Sequence, residues 1–184
     1  MRSCVYKLTD TKIRLDSVDR LTRSLRTHDG ILRTANAVID KLYYSFPKST
    51  DHIVADVGLS VGPVPGFCVG IDFPTLTQFC SAHPKLQLLT WDSYVSTVSE
   101  RLDEPSLLVE GFRQSKGREF SEVAIVDFFS SGCATEHAEE IPAALQKSWK
   151  KLLLGADEVG VTDWPVELEV QLKVLYTAIT RSCY

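Results

Sequence analysis

Apolar and polar positions alternate along the chain in short blocks of two kinds. Compact apolar runs at 67–71, 85–91, 107–110 and 123–129 have strand length and composition. Between them, apolar residues recur at helical spacing. The clearest stripe is Ile31, Leu32, Ala35, Val38, Ile39, Leu42 and Phe46, closed by Pro47, which cannot continue a helix. The run just before it, LTRSLRTHDG (21–30), ends in residues suited to a helix start, with Thr27 or Asp29 as candidate N-cap. Arg26 therefore stands immediately before a helix N-terminus, where surface and capping arginines are commoner than ligands. Further helices are expected over 75–82, over 92–102 with Asp92 or Ser93 near the cap, and over 141–154. A last helix is expected after Pro165, which suits a first helical turn, with Leu168, Leu172, Leu175 and Ile179 on one stripe.

Strands alternating with helices predict an α/β architecture with a mainly parallel sheet. Residues 1–20 read as a ragged start and 21–184 as one domain. The segment 49–66, with two prolines and three glycines, reads as a loop within it. The organising stretch is 107–129, in which a polar crossing joins two apolar strands. Glu110, Arg113, Lys116, Arg118 and Glu119 lie in that crossing, with Gly111 and Gly117 available for close backbone approach or positive φ. Loops at the ends of parallel strands are where α/β sheets meet ligands, so a polar ligand is expected there.

Composition narrows the possibilities. With 184 residues, 44% of them hydrophobic, the chain can bury a real core as one domain. A net charge of −4 and a pI near 5.6 exclude bulk polycationic binding of nucleic acid, so any such contact must be local. Five cysteines without a C-x-x-C pair read as reduced thiols of an intracellular protein, and the four histidines show no metal-ligand spacing, so no metal site is assigned. No apolar run approaches the ~20 residues that span a bilayer, and the first residues lack a signal-peptide core. A soluble intracellular protein without membrane contact is expected, in nucleus or cytoplasm alike. Two nucleotide-motif lookalikes are set aside. Residues 155–162 have the glycine spacing of a phosphate loop, but Val161 replaces its Lys and Asp157 and Glu158 would face the phosphates. The run 123–127 ends in an Asp as a Mg²⁺-holding strand does, but no phosphate loop precedes it.

Three stretches carry a family resemblance. FRQSKGREF with the following EVAIVDFF resembles the HxAKGLEF signature of UvrD/Rep-like superfamily-one helicases; LTRSLRTHDGIL resembles their NYRS motif, and VLYTAITRS their LYVALTRA motif, in the same order. The likeness covers 21–184 and matches the second motor domain of that family. Phe46-Pro47 and Val126-Asp127-Phe128-Phe129 bring it closer to the large eukaryotic UvrD-like proteins of the TPR and ankyrin repeat-containing kind. The resemblance implies a RecA-like, P-loop-NTPase-type fold, truncated and incomplete at its C-terminal sheet edge. It implies that Arg26 and Arg181 reach the γ-phosphate of ATP, with Mg, bound by a first RecA-like motor domain not present in this chain. It places Glu119 on the ribose, gives Lys116, Gly117 and Thr180 to the nucleotide contact, and sets Arg113 and Gln114 on single-stranded nucleic acid. The chain alone is then expected to be inactive.

Departures accompany the matches. Ser24-Leu25-Arg26-Thr27 keeps the motif's Arg without its Asn and Tyr, Arg113 stands in place of a His, and Arg118 in place of a Leu. The competing expectation is a non-catalytic α/β interaction module in which Arg26 and Arg181 are ordinary surface residues.

Overall fold

Helix α1 (Asp29–Ser45) forms where the apolar stripe predicts it, burying Ile31, Leu32, Ala35 and Leu42. Its N-cap is His28 rather than Thr27 or Asp29. The His28 Nδ1 accepts the Ile31 N–H at 3.4 Å, satisfying one of the donors a first turn leaves open. Asp29 sits inside the first turn, where a carboxylate suits the positive helix end, and pairs with Arg33 at 3.5 Å.

The computed structural model describes residues 22–48, 54–129, 143–153 and 164–183. Before α1 lies strand β1 (Arg23–Ser24). After it come β2 (Val57–Gly58), α2 (Phe73–Ala82), β3 (Leu86–Thr90), a 3-10 turn (Asp92–Tyr94), α3 (Val95–Leu102), β4 (Val109–Gly111), β5 (Glu122–Ile125), α4 (Ala143–Leu153) and α5 (Val166–Ile179). All strand pairings are parallel. β3 lies between β4 and β5, with Leu88 opposite both Val109 and Ala124, while β1 pairs with β2 in a separate two-stranded sheet. The chain is thus a mixed α/β arrangement of small parallel sheets and helices.

Burial follows this order. Gln87 to Thr90 on the central strand are all buried, as expected of a parallel strand covered on both faces. Adjacent side chains on a strand point to opposite faces, and Leu88 and Leu89 accordingly enter different clusters. Leu88 joins Cys80, Val98 and Leu102 from α2 and α3. Leu89 joins Leu42 of α1, Trp149 and Leu152 of α4, and Leu168 and Leu172 of α5. Burying such a leucine fully stabilises the fold by roughly 1.5–3 kcal/mol. Trp91, Phe112, Phe128, Phe129 and Trp149 extend the second cluster through edge-to-face and tilted ring contacts, and the Trp91 indole N–H donates to the Phe128 carbonyl at 3.0 Å.

Several expectations are corrected. No strand forms over 67–71; Phe67 and Val69 are exposed, and Gly70 takes φ +72° in an unpaired stretch. The predicted loop 49–66 contains β2, whose two residues are held by β1. The strand expected over 123–129 ends at Ile125, because Asp127 adopts φ 51° and turns Phe128 and Phe129 into the core. Asp is among the few residues that tolerate this left-handed region. Outside the named strands, Phe120 meets the stretch after the last helix. Phe120 N–H donates to the Arg181 carbonyl at 3.0 Å and Cys183 N–H to the Phe120 carbonyl at 2.9 Å, in a parallel bridge. The ragged start 1–20 and the run 155–162 lie outside the described residues. Among the described residues no helix is long and apolar enough to cross a membrane, and no three His, Cys, Asp or Glu side chains are grouped to hold a metal ion.

Candidate functional site

The site is assembled from three stretches far apart in sequence. The first is the turn after β1. Ser24 Oγ accepts the backbone N–H of Thr27 at 3.0 Å and that of Arg26 at 3.3 Å, bending the chain so that Arg26 is exposed while Thr27 is buried. Ser and Thr hydroxyls commonly shape turns in this way. The second is the crossing 116–120. Gly117 adopts φ +85°, a conformation costly for a residue with Cβ, and delivers Glu119 next to Arg26. The third is the end of α5. Thr180, buried, caps the helix, its Oγ1 lying 3.0 Å from the Tyr176 carbonyl, and Arg181 follows directly.

These stretches meet. Arg26 Nη1 lies 3.0 Å from Glu119 Oε1, a contact spanning 93 residues of sequence. Arg181 donates from Nε to the Thr177 carbonyl at 3.1 Å and from Nη1 to the Arg118 carbonyl at 3.2 Å. Thr27 Oγ1 donates to the Ser182 carbonyl, closing the triangle. Arg26, Glu119, Thr180 and Arg181 are therefore gathered at one place, with Gly117 shaping the turn beside them.

The electrostatics are consistent with that geometry. The Arg26 hydrogen bond holds the Glu119 carboxyl below its ordinary range, assisted by the charges of Arg26 and Arg181 and a hydrogen bond from Cys183, and opposed by partial desolvation. Burial pushes the Cys183 thiol up, and the adjacent Glu119 charge pushes it the same way. Tyr176 is also pushed up, first by burial and then by Asp56. Two guanidiniums, Arg26 exposed and Arg181 half-buried, stand beside the Glu119 carboxylate. This suits a phosphate group, since guanidinium forks match its oxygens. The single carboxylate, already engaged by Arg26, does not suit the metal of a Mg–nucleotide complex.

The other predicted residues are placed elsewhere in the same crossing. Arg113 and Gln114 are exposed on the turn after β4; the Arg113 N–H donates to Asp92 Oδ2 at 3.2 Å, and Gln114 Oε1 accepts from Gly111 N–H at 3.5 Å. Lys116 is exposed on that turn. Arg118, the charged residue in place of a Leu, pairs with Glu110 and lies over the Phe120 ring at 5.2 Å. Sequence reasoning missed Ser24, Thr27 and Cys183 as parts of the site. Ser24 shapes its turn through bonds two and three residues away, a local signal, whereas Thr27 and Cys183 act through a hydrogen bond or charge that depends on the folded path.

Among curated proteins the chain is similar to TPR and ankyrin repeat-containing protein 1 of Homo sapiens, at 26% identity over 196 aligned residues. The match covers 90% of this chain and 6% of that protein's length. No family model matches the chain, and no solved structure matches it. Assignment to the UvrD/Rep-like superfamily-one helicases is therefore corrected: what is found is a distant likeness to a repeat-containing protein. The physical reason is visible in the motifs, which are short and altered where they carry most information. The Asn and Tyr before Arg26 are absent, and Arg118 serves Glu110 and Phe120 instead of packing as an apolar residue.

Proposed function

We propose that this chain presents a two-arginine face to the phosphate end of a nucleotide held mainly by a second domain, and so forms part of an ATP-driven machine acting on single-stranded nucleic acid. The observation that carries the reading is the convergence of Arg26, Glu119 and Arg181 from three remote stretches, with Arg26 and Glu119 exposed and Arg181 half-buried. A guanidinium stays charged at all working pH values, and it stabilises charge developing on a departing phosphoryl group. In this reading Arg26 and Arg181 approach the phosphates of ATP, with Mg supplied and held by the second, RecA-like domain. Lys116, Gly117, Glu119 and Thr180 shape the nucleotide side. Arg113 and Gln114, exposed on their turn, grip the strand's backbone. The parallel strands and flanking helices are compatible with a RecA-like fold for this part as well.

The deciding experiment changes Arg26 and Arg181 to Gln in a polypeptide that joins this chain to its phosphate-loop domain. Arginine fingers are worth roughly 10³ to 10⁵ in rate, so turnover of ATP should collapse while the nucleotide still binds. Unchanged turnover would refute the reading.

A second reading, a non-catalytic α/β interaction module, is favoured by one observation. Val57, Leu59, Val61, Val64, Phe67 and Val69 are all exposed along a single stretch. Contiguous apolar surface of this kind is typical of contact with another protein. In that case the double Gln variant leaves turnover untouched, while polar substitutions at Val61 and Phe67 abolish association.

A further inference from the structure

We infer that Glu119 is a displaceable latch on Arg26, so that the site holds one standing cation, Arg181, and one that becomes available only when an incoming phosphate replaces the carboxylate. The inference rests on the two-arginine reading and adds a regulatory step to it.

The two arginines are held in different ways. Arg181 donates from Nε and Nη1 to neutral backbone carbonyls, those of Thr177 and Arg118, which orient the guanidinium, and it meets the Glu119 charge only at a distance, with no ion pair between them among the described residues. Arg26 is matched by a carboxylate through one contact, Nη1 to Oε1 at 3.0 Å. Both of its partners face solvent, with side chains 42% and 54% exposed, so exchange does not require the core to open. The backbone beneath is firm on either side. Phe120 is bonded to Arg181 and Cys183, and the Arg26 turn is tied down by Ser24 and Thr27. The Glu119 side chain itself stands more than half in solvent. The Glu119 side chain can therefore swing away while both backbones stay in place. A phosphate, with several oxygens, accepts the guanidinium fork through two bonds and outcompetes a solvated carboxylate that holds the guanidinium by one.

The ligand chemistry is a phosphoanhydride, and inorganic pyrophosphate is the probe. The 184-residue chain is titrated with pyrophosphate while the arginine side-chain ¹⁵N resonances are followed. Wild type is compared with Glu119→Gln, Glu119→Asp, Glu122→Gln, Arg26→Gln and Arg181→Gln. Glu119→Gln should bind several-fold tighter. Glu119→Asp, which keeps the charge but shortens the reach, should also gain. Glu122→Gln, which removes a nearby carboxylate that pairs with His83 instead, should change little. The latch is overturned if neither Glu119 variant gains affinity, or if Glu122→Gln gains as much as Glu119→Gln, which would mean that only net charge matters. If neither Arg26→Gln nor Arg181→Gln weakens binding, the two-arginine reading itself fails, and the latch with it.

Discussion

The Thr27 hydroxyl donates to the Ser182 carbonyl oxygen at 3.3 Å, joining residues 155 positions apart. Thr27 is only 3% exposed, so this bond lies inside the seam between the turn that carries Arg26 and the chain end that carries Arg181. Thr27→Val preserves shape and removes the donor. It is expected to lower unfolding free energy by about 0.5–1.5 kcal/mol, read from the urea midpoint at unchanged slope. Thr27→Ser should recover most of the loss.

Glu119 offers a pH-dependent readout. Its carboxyl is held below the ordinary value of 4.5, chiefly by the Arg26 hydrogen bond. A depressed folded-state pKa means that the pairing contributes stability above the ordinary carboxylate range and loses it as pH falls through the folded value. Side-chain carboxyl NMR should therefore show Glu119 titrating below typical glutamates. In Arg26→Gln its midpoint should move up toward them, and an unmoved midpoint would contradict the ion pair.

The two glycines of the crossing should respond differently to Ala. At Gly111 a Cβ would stand 2.2 Å from Asp92 Oδ1, on the carboxylate that also accepts the Arg113 N–H. Relieving that overlap costs about 1–3 kcal/mol. At Gly117 nothing is in the way, and the penalty comes from φ +85° alone, about 1–2 kcal/mol. Asn at Gly117 should recover part of that loss, whereas Asn at Gly111 should be worse than Ala. Equal behaviour of the two positions in thermal unfolding would show that the crossing is not built this way.

Thiol reactivity tests the surroundings of the site. Cys68 is exposed, while Cys80 and Cys183 are buried and their thiols are pushed up by that burial. Alkylation by iodoacetamide near neutral pH, followed peptide by peptide, should modify Cys68 well before either of the others, because the thiolate is the reactive form. In Glu119→Gln the alkylation of Cys183 should accelerate, since the carboxylate beside it helps to suppress its ionisation.

Long periodic elements were legible from residue pattern alone. The stripe from Ile31 to Phe46, the last helix after Pro165 and the apolar run at 85–91 appear where local spacing puts them, because a helix or buried strand needs its apolar side chains at fixed intervals along one short segment. The apolar run at 67–71 shows the limit of that logic. Its composition is that of a strand, but a strand exists only where another pairs with it, and none does. Conversely, β1 and β2 are two residues each and carry no pattern, yet they form because the fold sets them side by side. Arg26, Glu119 and Arg181 were singled out through motif likeness, and the family suggested by that likeness is not upheld.

From the sequence by itself came the α/β class, the main helices, the acidic balance and the existence of an arginine-rich polar crossing between apolar strands. Only the tertiary structure decided which charges meet: Arg26 with Glu119, Arg118 with Glu110, and Arg181 with backbone carbonyls. Helical and strand periodicity is written within a few residues, where neighbours in sequence are neighbours in space. A contact across 93 or 155 residues depends on the whole path of the chain between its partners, and no local spacing encodes it.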